Sequence, residues 1–183
     1  MSRNPKIIIL CWGGIFTLAV IITHLLIHYK IQPEQVVLRN LLDIIGVAFS
    51  CFCIYKAVHT YRAGQGDGVP FVALKGLKLS MGLLSVFFVL FLSFSMIFYN
   101  YVDANFVADY KTKKIEFVQK SDLQTEQKEQ TIKTIQSLTA SSYAITDTLQ
   151  RLIFPVMGML FVVAFLQRKP VKVKEVKDTE NQQ

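Results

Sequence analysis

The chain has 183 residues and a formal net charge of +7, and 52 % of its residues are hydrophobic. The apolar residues form long continuous runs rather than one face of a helix, which excludes an ordinary water-soluble fold and predicts one integral membrane domain. The basic residues collect at the ends of these runs. We therefore expect them to contact lipid headgroups, and we do not expect nucleic-acid binding.

Four of the apolar runs are long enough to cross a bilayer, which takes about 20 residues of helix. They cover residues 7–28, 36–55, 79–99 and 149–166. The first run has a basic start like that of a signal peptide, but it is too long and lacks a cleavage site, so we expect it to be retained. The cysteines are Cys11, Cys51 and Cys53. Their odd number and apolar surroundings favour core packing over a disulfide framework or a metal site.

The connection over residues 100–146 predicts a helical insert of two short amphipathic helices. The first carries an apolar face made of Phe106, Val107, Tyr110, Phe117 and Val118. The second carries a stripe made of Ile132, Ile135 and Leu138. Helices this short must pack on each other, on the membrane surface or on a partner. Ser121 stands before Gln124 at the spacing of a capping box, and residues 139–142 are expected to loosen the chain before the fourth span.

The sequence therefore predicts an all-α membrane protein, a bundle of four transmembrane helices with an extracytoplasmic helical insert between helices three and four. This membrane domain covers residues 1–166. An excess of basic residues in short flanks marks the cytoplasmic face, so both termini are expected in the cytoplasm. Residues 167–183 are charged and show no apolar periodicity, which predicts a disordered basic cytoplasmic tail.

Several short motifs occur in an order that is typical of one protein family. The motifs are Tyr61-Arg62 followed by Gly66, Phe71 with Ala73-Leu74-Lys75-Gly76 before the third span, Phe98-Tyr99-Asn100-Tyr101-Val102-Asp103 at its end, and Arg168-Lys169 after the fourth. With these motifs the chain resembles a family of bacterial four-span inner-membrane proteins that is catalogued as a domain of unknown function. The resemblance implies an all-helical inner-membrane protein and supplies no catalytic residues. Ala104 departs from the family pattern, which often has proline there.

Ionisable residues inside membrane spans are costly and are candidates for function. With the predicted topology, the ends of the spans on the outer side carry a candidate polar site made of His24, His28, Arg39, Asp43, Asp147 and Arg151. Such a site is able to bind an anion, a headgroup or protons, and histidine titrates near physiological pH. The alternative is that these residues are ordinary helix-end groups at headgroup depth.

These observations favour a structural or accessory subunit of a membrane complex, whose partners are membrane lipids and either other membrane-protein subunits or further copies of the chain. The alternative is a small oligomeric transporter or channel that uses the outer polar site. A lipid-directed membrane enzyme with His24 or His28 as base is a weaker third hypothesis, because no nucleophile or metal-ligand set accompanies the histidines. We expect no enzymatic activity and no cofactor.

Overall fold

The computed structural model of the chain describes residues 4–30, 36–64, 73–122 and 124–168. Every regular element in these residues is a helix. The helices are α1 (Pro5–Lys30), α2 (Val36–Ala63), α3 (Ala73–Ile97), α4 (Phe106–Lys120), α5 (Thr125–Gln136) and α6 (Ala140–Arg168), and a π-helical turn (Phe98–Val102) continues α3. The predicted all-α fold is thus confirmed. The predicted tail from residue 169 onward lies outside the described residues.

Four helical segments are long and apolar enough to cross a membrane. They are Pro5–Lys30, Leu41–Ala63, Ala73–Val102 and Ala140–Leu166. Large apolar side chains on them face outward from the protein, among them Leu10 and Leu18 on α1 and Phe161 on α6. In water this apolar surface would drive aggregation, whereas in a bilayer it contacts lipid tails. The chain is therefore a multi-pass membrane protein.

Side-chain caps define where two of these helices begin. The carboxamide oxygen of Asn4 accepts a hydrogen bond from the backbone N–H of Lys6 at 3.0 Å, and Pro5 occupies the first position of α1. At α6, the hydroxyl oxygen of Thr139 accepts from the N–H of Ser142 at 3.1 Å, and the Ser142 hydroxyl accepts from the N–H of Thr139 at 2.8 Å. This reciprocal cap starts α6 well before residue 149. The expectation that residues 139–142 loosen the chain is therefore wrong.

Hydroxyl groups in the membrane-length helices mostly bond to carbonyl groups of their own helix. Examples are Thr17 to Gly13, Ser80 to Gly76 and Thr148 to Ala144, all at 2.8 or 2.9 Å. A hydroxyl that bonds the carbonyl four residues earlier needs no water, so it can be buried in lipid or protein. Among the described side chains, the buried Oγ of Ser95 and Nε1 of Trp12 have no hydrogen-bond partner.

The chain forms two compact units. The first contains α1, α2, α3 up to Val86 and α6 from Phe154, and the second is Phe87–Ile153. Glycines allow close helix packing within the first unit. A Cβ atom on Gly13 would lie 3.0 Å from the Cβ of Val86, and a Cβ on Gly158 would collide with the Cys51 sulfur.

The Arg62 side chain caps the C-terminal end of α6 in the first unit. Nη1 of Arg62, near the end of α2, donates a hydrogen bond of 2.9 Å to the backbone carbonyl of Leu166. Leu166 lies in the last turn of α6, where carbonyl groups have no partner within the helix. A guanidinium at this position satisfies the carbonyl and complements the negative end of the helix dipole.

In the second unit, α4 and α5 pack together as a hairpin. Val107 and Val118 of α4 and Ile135 of α5 are buried. The ammonium group of Lys111 donates to the carbonyl of Gln136 at 3.0 Å, and that of Lys128 donates to the carbonyl of Gln119 at 3.1 Å. Of the three possibilities for the insert, packing of the two helices on each other is therefore confirmed.

The turn of this hairpin differs from the predicted capping box. The helix before the turn ends at Ser121, whose hydroxyl donates to the Val118 carbonyl at 2.6 Å. The next helix begins at Thr125, with Gln124 as its N-cap and no side-chain hydrogen bond there. Ser121 thus serves the end of α4 rather than the start of α5. The Val118 carbonyl lies in the last turn of α4 and also accepts the backbone N–H of Ser121 at 3.2 Å.

Candidate functional site

The second unit holds an ionic network between the end of the third membrane-length helix and the start of the fourth. The Tyr99 hydroxyl donates a hydrogen bond of 3.2 Å to Oδ2 of Asp147. The other carboxylate oxygen of Asp147 accepts from Nε of Arg151 at 3.1 Å. The side chains of Asp147 and Arg151 are only 14 % and 22 % exposed. Both carboxylate oxygens therefore accept a hydrogen bond, and the ion pair is largely buried within the protein.

A π-helical turn accounts for the position of Tyr99. The backbone N–H of Asp103 bonds to the Phe98 carbonyl at 2.8 Å, which closes a turn one residue wider than an α-helical turn. In the wider turn the two adjacent residues Phe98 and Tyr99 are both buried, each with 1 % exposure. The tyrosine hydroxyl then reaches the carboxylate of Asp147 on α6.

Four aromatic side chains connect this network to the helical hairpin. The Tyr99 ring lies 5.2 Å from that of Phe106 and 5.0 Å from that of Tyr143, centroid to centroid. Tyr143 in turn lies 5.5 Å from Phe106 and 4.9 Å from Tyr110. Three of these four contacts are edge-to-face, an arrangement whose attraction adds to the apolar burial of each ring. We refer to Tyr99, Phe106, Tyr110 and Tyr143 as the aromatic cluster. It joins α3, α4 and α6.

The guanidinium of Arg151 also contacts an aromatic ring. Its central carbon lies 5.4 Å from the centroid of Phe91, which belongs to the series of neighbouring rings Phe87, Phe91, Phe94 and Phe98. A cation over a ring face is attracted by the ring quadrupole, and the attraction grows where water is excluded. Arg151 is therefore held by a carboxylate and an aromatic face together.

The other predicted polar residues belong to the first unit. His24 is buried and His28 is half-buried on α1, and their rings are nearly parallel with centroids 6.3 Å apart. Asp43 is exposed on α2. The Arg39 side chain lies outside the described residues, and so does the predicted Arg39–Asp43 pair. The structure thus pairs Asp147 with Arg151 and brings His24 beside His28, while the prediction of one six-residue site stays a prediction.

The described residues contain no group of three or more histidine, cysteine, aspartate or glutamate side chains placed to hold a metal ion. The thiols of Cys11, Cys51 and Cys53 are all free. Cys51 packs where Gly158 leaves room for its sulfur, which is the packing role expected of small apolar residues.

A comparison with protein-family models gives a match over residues 11–168, to the family described as Protein of unknown function (DUF4199). The chain belongs to the DUF4199 family. This confirms the resemblance to a domain of unknown function that the sequence motifs predict. No curated protein and no solved structure matches the chain.

Two members of the site in this DUF4199 protein, Tyr99 and Tyr143, are not among the residues that the sequence predicts. In the sequence Tyr99 is only part of the aromatic end of the third span, although a buried tyrosine normally needs a partner for its hydroxyl. The spacing of Asp147 and Arg151, four residues apart on one helix face, was a usable signal for their pairing. No pattern in the sequence points to the π-helical turn that brings Tyr99 to them.

We expect the Asp147–Arg151 pair to stabilise the second unit measurably. Asp147→Asn and Arg151→Gln should each lower the free energy of unfolding by roughly 1–3 kcal/mol, between the values for exposed and buried pairs, because each change leaves its partner without a counter-charge. The double variant should lose less than the sum of the two. Thermal unfolding in detergent measures these changes, with the exposed Asp122→Asn as control. Single variants as stable as that control would show that the pair contributes nothing.

Proposed function

We propose that this DUF4199 protein is a structural or accessory subunit of a membrane complex in the bacterial inner membrane, and that it is not an enzyme. The observation that carries the proposal is the α4–α5 hairpin. It is folded outside the membrane-length helices and attached to them through the aromatic cluster. A folded hairpin that is attached to the spans in this way offers a surface for an assembly partner.

The chemistry of the polar network supports a structural role. Asp147 uses both carboxylate oxygens on groups of the chain itself, and Arg151 is held between this carboxylate and the Phe91 ring. The hydrogen bond from Tyr99 to Asp147 links the end of the third membrane-length helix to α6, and such bonds between helices help to hold a membrane bundle together. We propose other membrane-protein subunits or further copies of the chain as partners, in addition to membrane lipids.

The second candidate function is a small oligomeric transporter or channel. The observation in its favour is a half-buried ion pair on a helix long enough to span the membrane. Intramembrane ionisable residues often mark substrate or proton pathways. In this case the same Asp147 and Arg151 would line a pathway between several copies of the chain, because four spans enclose little space.

We propose that both termini lie in the cytoplasm and that the hairpin lies outside it. The support is the distribution of charge in the short flanks of the spans. The flanks assigned to the cytoplasm hold Arg3, Lys6, Lys56, Arg62, Lys75, Lys78, Arg168, Lys169, Lys172, Lys174 and Lys177. In the first connection, on the opposite side, the only lysine or arginine before the second span is Lys30. Long connections cross the membrane largely regardless of their charge, so the lysines of the hairpin do not oppose this topology.

Cysteine labelling on intact spheroplasts tests this topology. The test uses a chain without Cys11, Cys51 and Cys53, with a single cysteine introduced at Asp67 or at Gln127. The two positions should differ in their labelling by an impermeant thiol reagent. Position 127 should react, and position 67 should react only after the membrane is opened. Labelling of position 67 but not of 127 would reverse the topology.

Co-purification after gentle detergent extraction tests the accessory-subunit role. The wild-type chain should carry a stoichiometric partner, and Ile135→Glu should lose it while remaining membrane-inserted. The reason is that a charge at this buried position opens the hairpin. Thr134→Glu is the matched control, because its side chain is exposed one position away. Purification of the wild-type chain alone, or as a homo-oligomer that Ile135→Glu does not dissociate, would overturn this role. The second of these results would favour the transporter.

A further inference from the structure

One face of α4 carries an apolar stripe that α5 does not cover. Phe106, Tyr110 and Phe117 recur at the i, i+4 and i+11 positions of one helical face. Val107 and Val118, the buried residues of α4, belong to a different face. The hairpin contact with α5 therefore leaves the Phe106–Tyr110–Phe117 stripe available for other surroundings.

The first part of this stripe faces the membrane-length helices. Phe106 contacts Tyr99 at the end of the third span, and Tyr110 contacts Tyr143 in the first turn of α6. Both contacts lie where a membrane-length helix ends or begins. This part of the stripe therefore packs against the ends of two membrane-length helices, and the ends of such helices are the parts nearest to a bilayer surface.

The second part of the stripe extends beyond the aromatic cluster. Phe117 lies three helical turns after Phe106, about 16 Å along the axis by the rise of an α-helix. Its side chain is 70 % exposed. The apolar stripe thus continues beyond its ring contacts and ends in an exposed phenylalanine.

The charges around Phe117 fit an anionic lipid surface. Its neighbours on the helix surface, three or four residues away, are Lys113, Lys114, Lys120 and Ser121. Three of these four are therefore basic and none is acidic. Long lysine side chains reach phosphate groups while their methylene stems lie along apolar surface.

We propose that α4 docks on the bilayer surface, with Phe117 inserted at the boundary of headgroups and acyl chains and with the lysines on anionic phosphates. This is the arrangement of an interfacial amphipathic helix. The membrane is favoured over a protein partner because both ends of the hairpin are anchored in the spans within a few residues. It also supplies both the apolar boundary and the anionic layer that the stripe requires. The inference does not depend on the proposed function.

Tryptophan fluorescence of the full chain in bilayers tests the docking. A Trp12→Phe background has no other tryptophan, and Trp12 makes no side-chain hydrogen bond that this change would remove. Phe117→Trp in this background should emit at shorter wavelength than free tryptophan in water. Phosphatidylcholine brominated near the headgroups should quench most of that emission. Gln130→Trp on the exposed polar face of α5 is the matched control and should be neither shifted nor quenched.

The lipid composition tests the role of the lysines. With phosphatidylglycerol in the bilayer the quenching at position 117 should be stronger than in phosphatidylcholine alone, and Lys113→Glu with Lys120→Glu should abolish this difference. Quenching that is equally strong with and without phosphatidylglycerol, in both the original chain and the double variant, would overturn the phosphate contacts. Emission at position 117 that matches the Gln130→Trp control in wavelength and quenching would overturn the docking and leave Phe117 to a protein partner.

Discussion

Lipid offers no hydrogen bonds, so each polar group that a membrane-spanning helix carries must find its partner inside the protein. This constraint explains most of the polar contacts described above. Serine and threonine hydroxyls bond to their own helix, and Arg62 satisfies the final turn of α6 from a different helix. The carboxylate of Asp147 receives hydrogen bonds from both Tyr99 and Arg151.

The need of Asp147 for hydrogen-bond donors also links the polar network to the hairpin. Tyr99 serves both, because its hydroxyl bonds to Asp147 while its ring contacts Phe106 and Tyr143. The π-helical turn makes this possible, since it buries Phe98 and Tyr99 side by side at the point where α3 ends. The π-helical turn thus places the Tyr99 side chain in contact with both the Asp147 carboxylate and the rings that attach the hairpin.

The sequence predicts the parts of this fold that depend on composition and periodicity. The apolar runs predict the four membrane-length helices, and the stripes around Phe106 and Ile135 predict the two helices of the insert. The sequence does not predict the start of α6, because Thr139 and Ser142 are typical of loops and the same polar side chains also form helix caps. The contact between Tyr99 and Asp147 spans 48 residues of sequence, and only the packing of two distant helices creates it.

Hydrogen–deuterium exchange of the full chain in a lipid bilayer tests most directly whether the aromatic cluster holds the hairpin on the spans. Tyr143 contacts the other three rings of the cluster. Tyr143→Ala should therefore speed amide exchange across α4 and α5 and leave α1 and α2 unchanged. Ile145→Ala, an exposed position of the same helix, is the control. Exchange in α4 and α5 that is equally slow in wild type, Tyr143→Ala and the control would contradict the account.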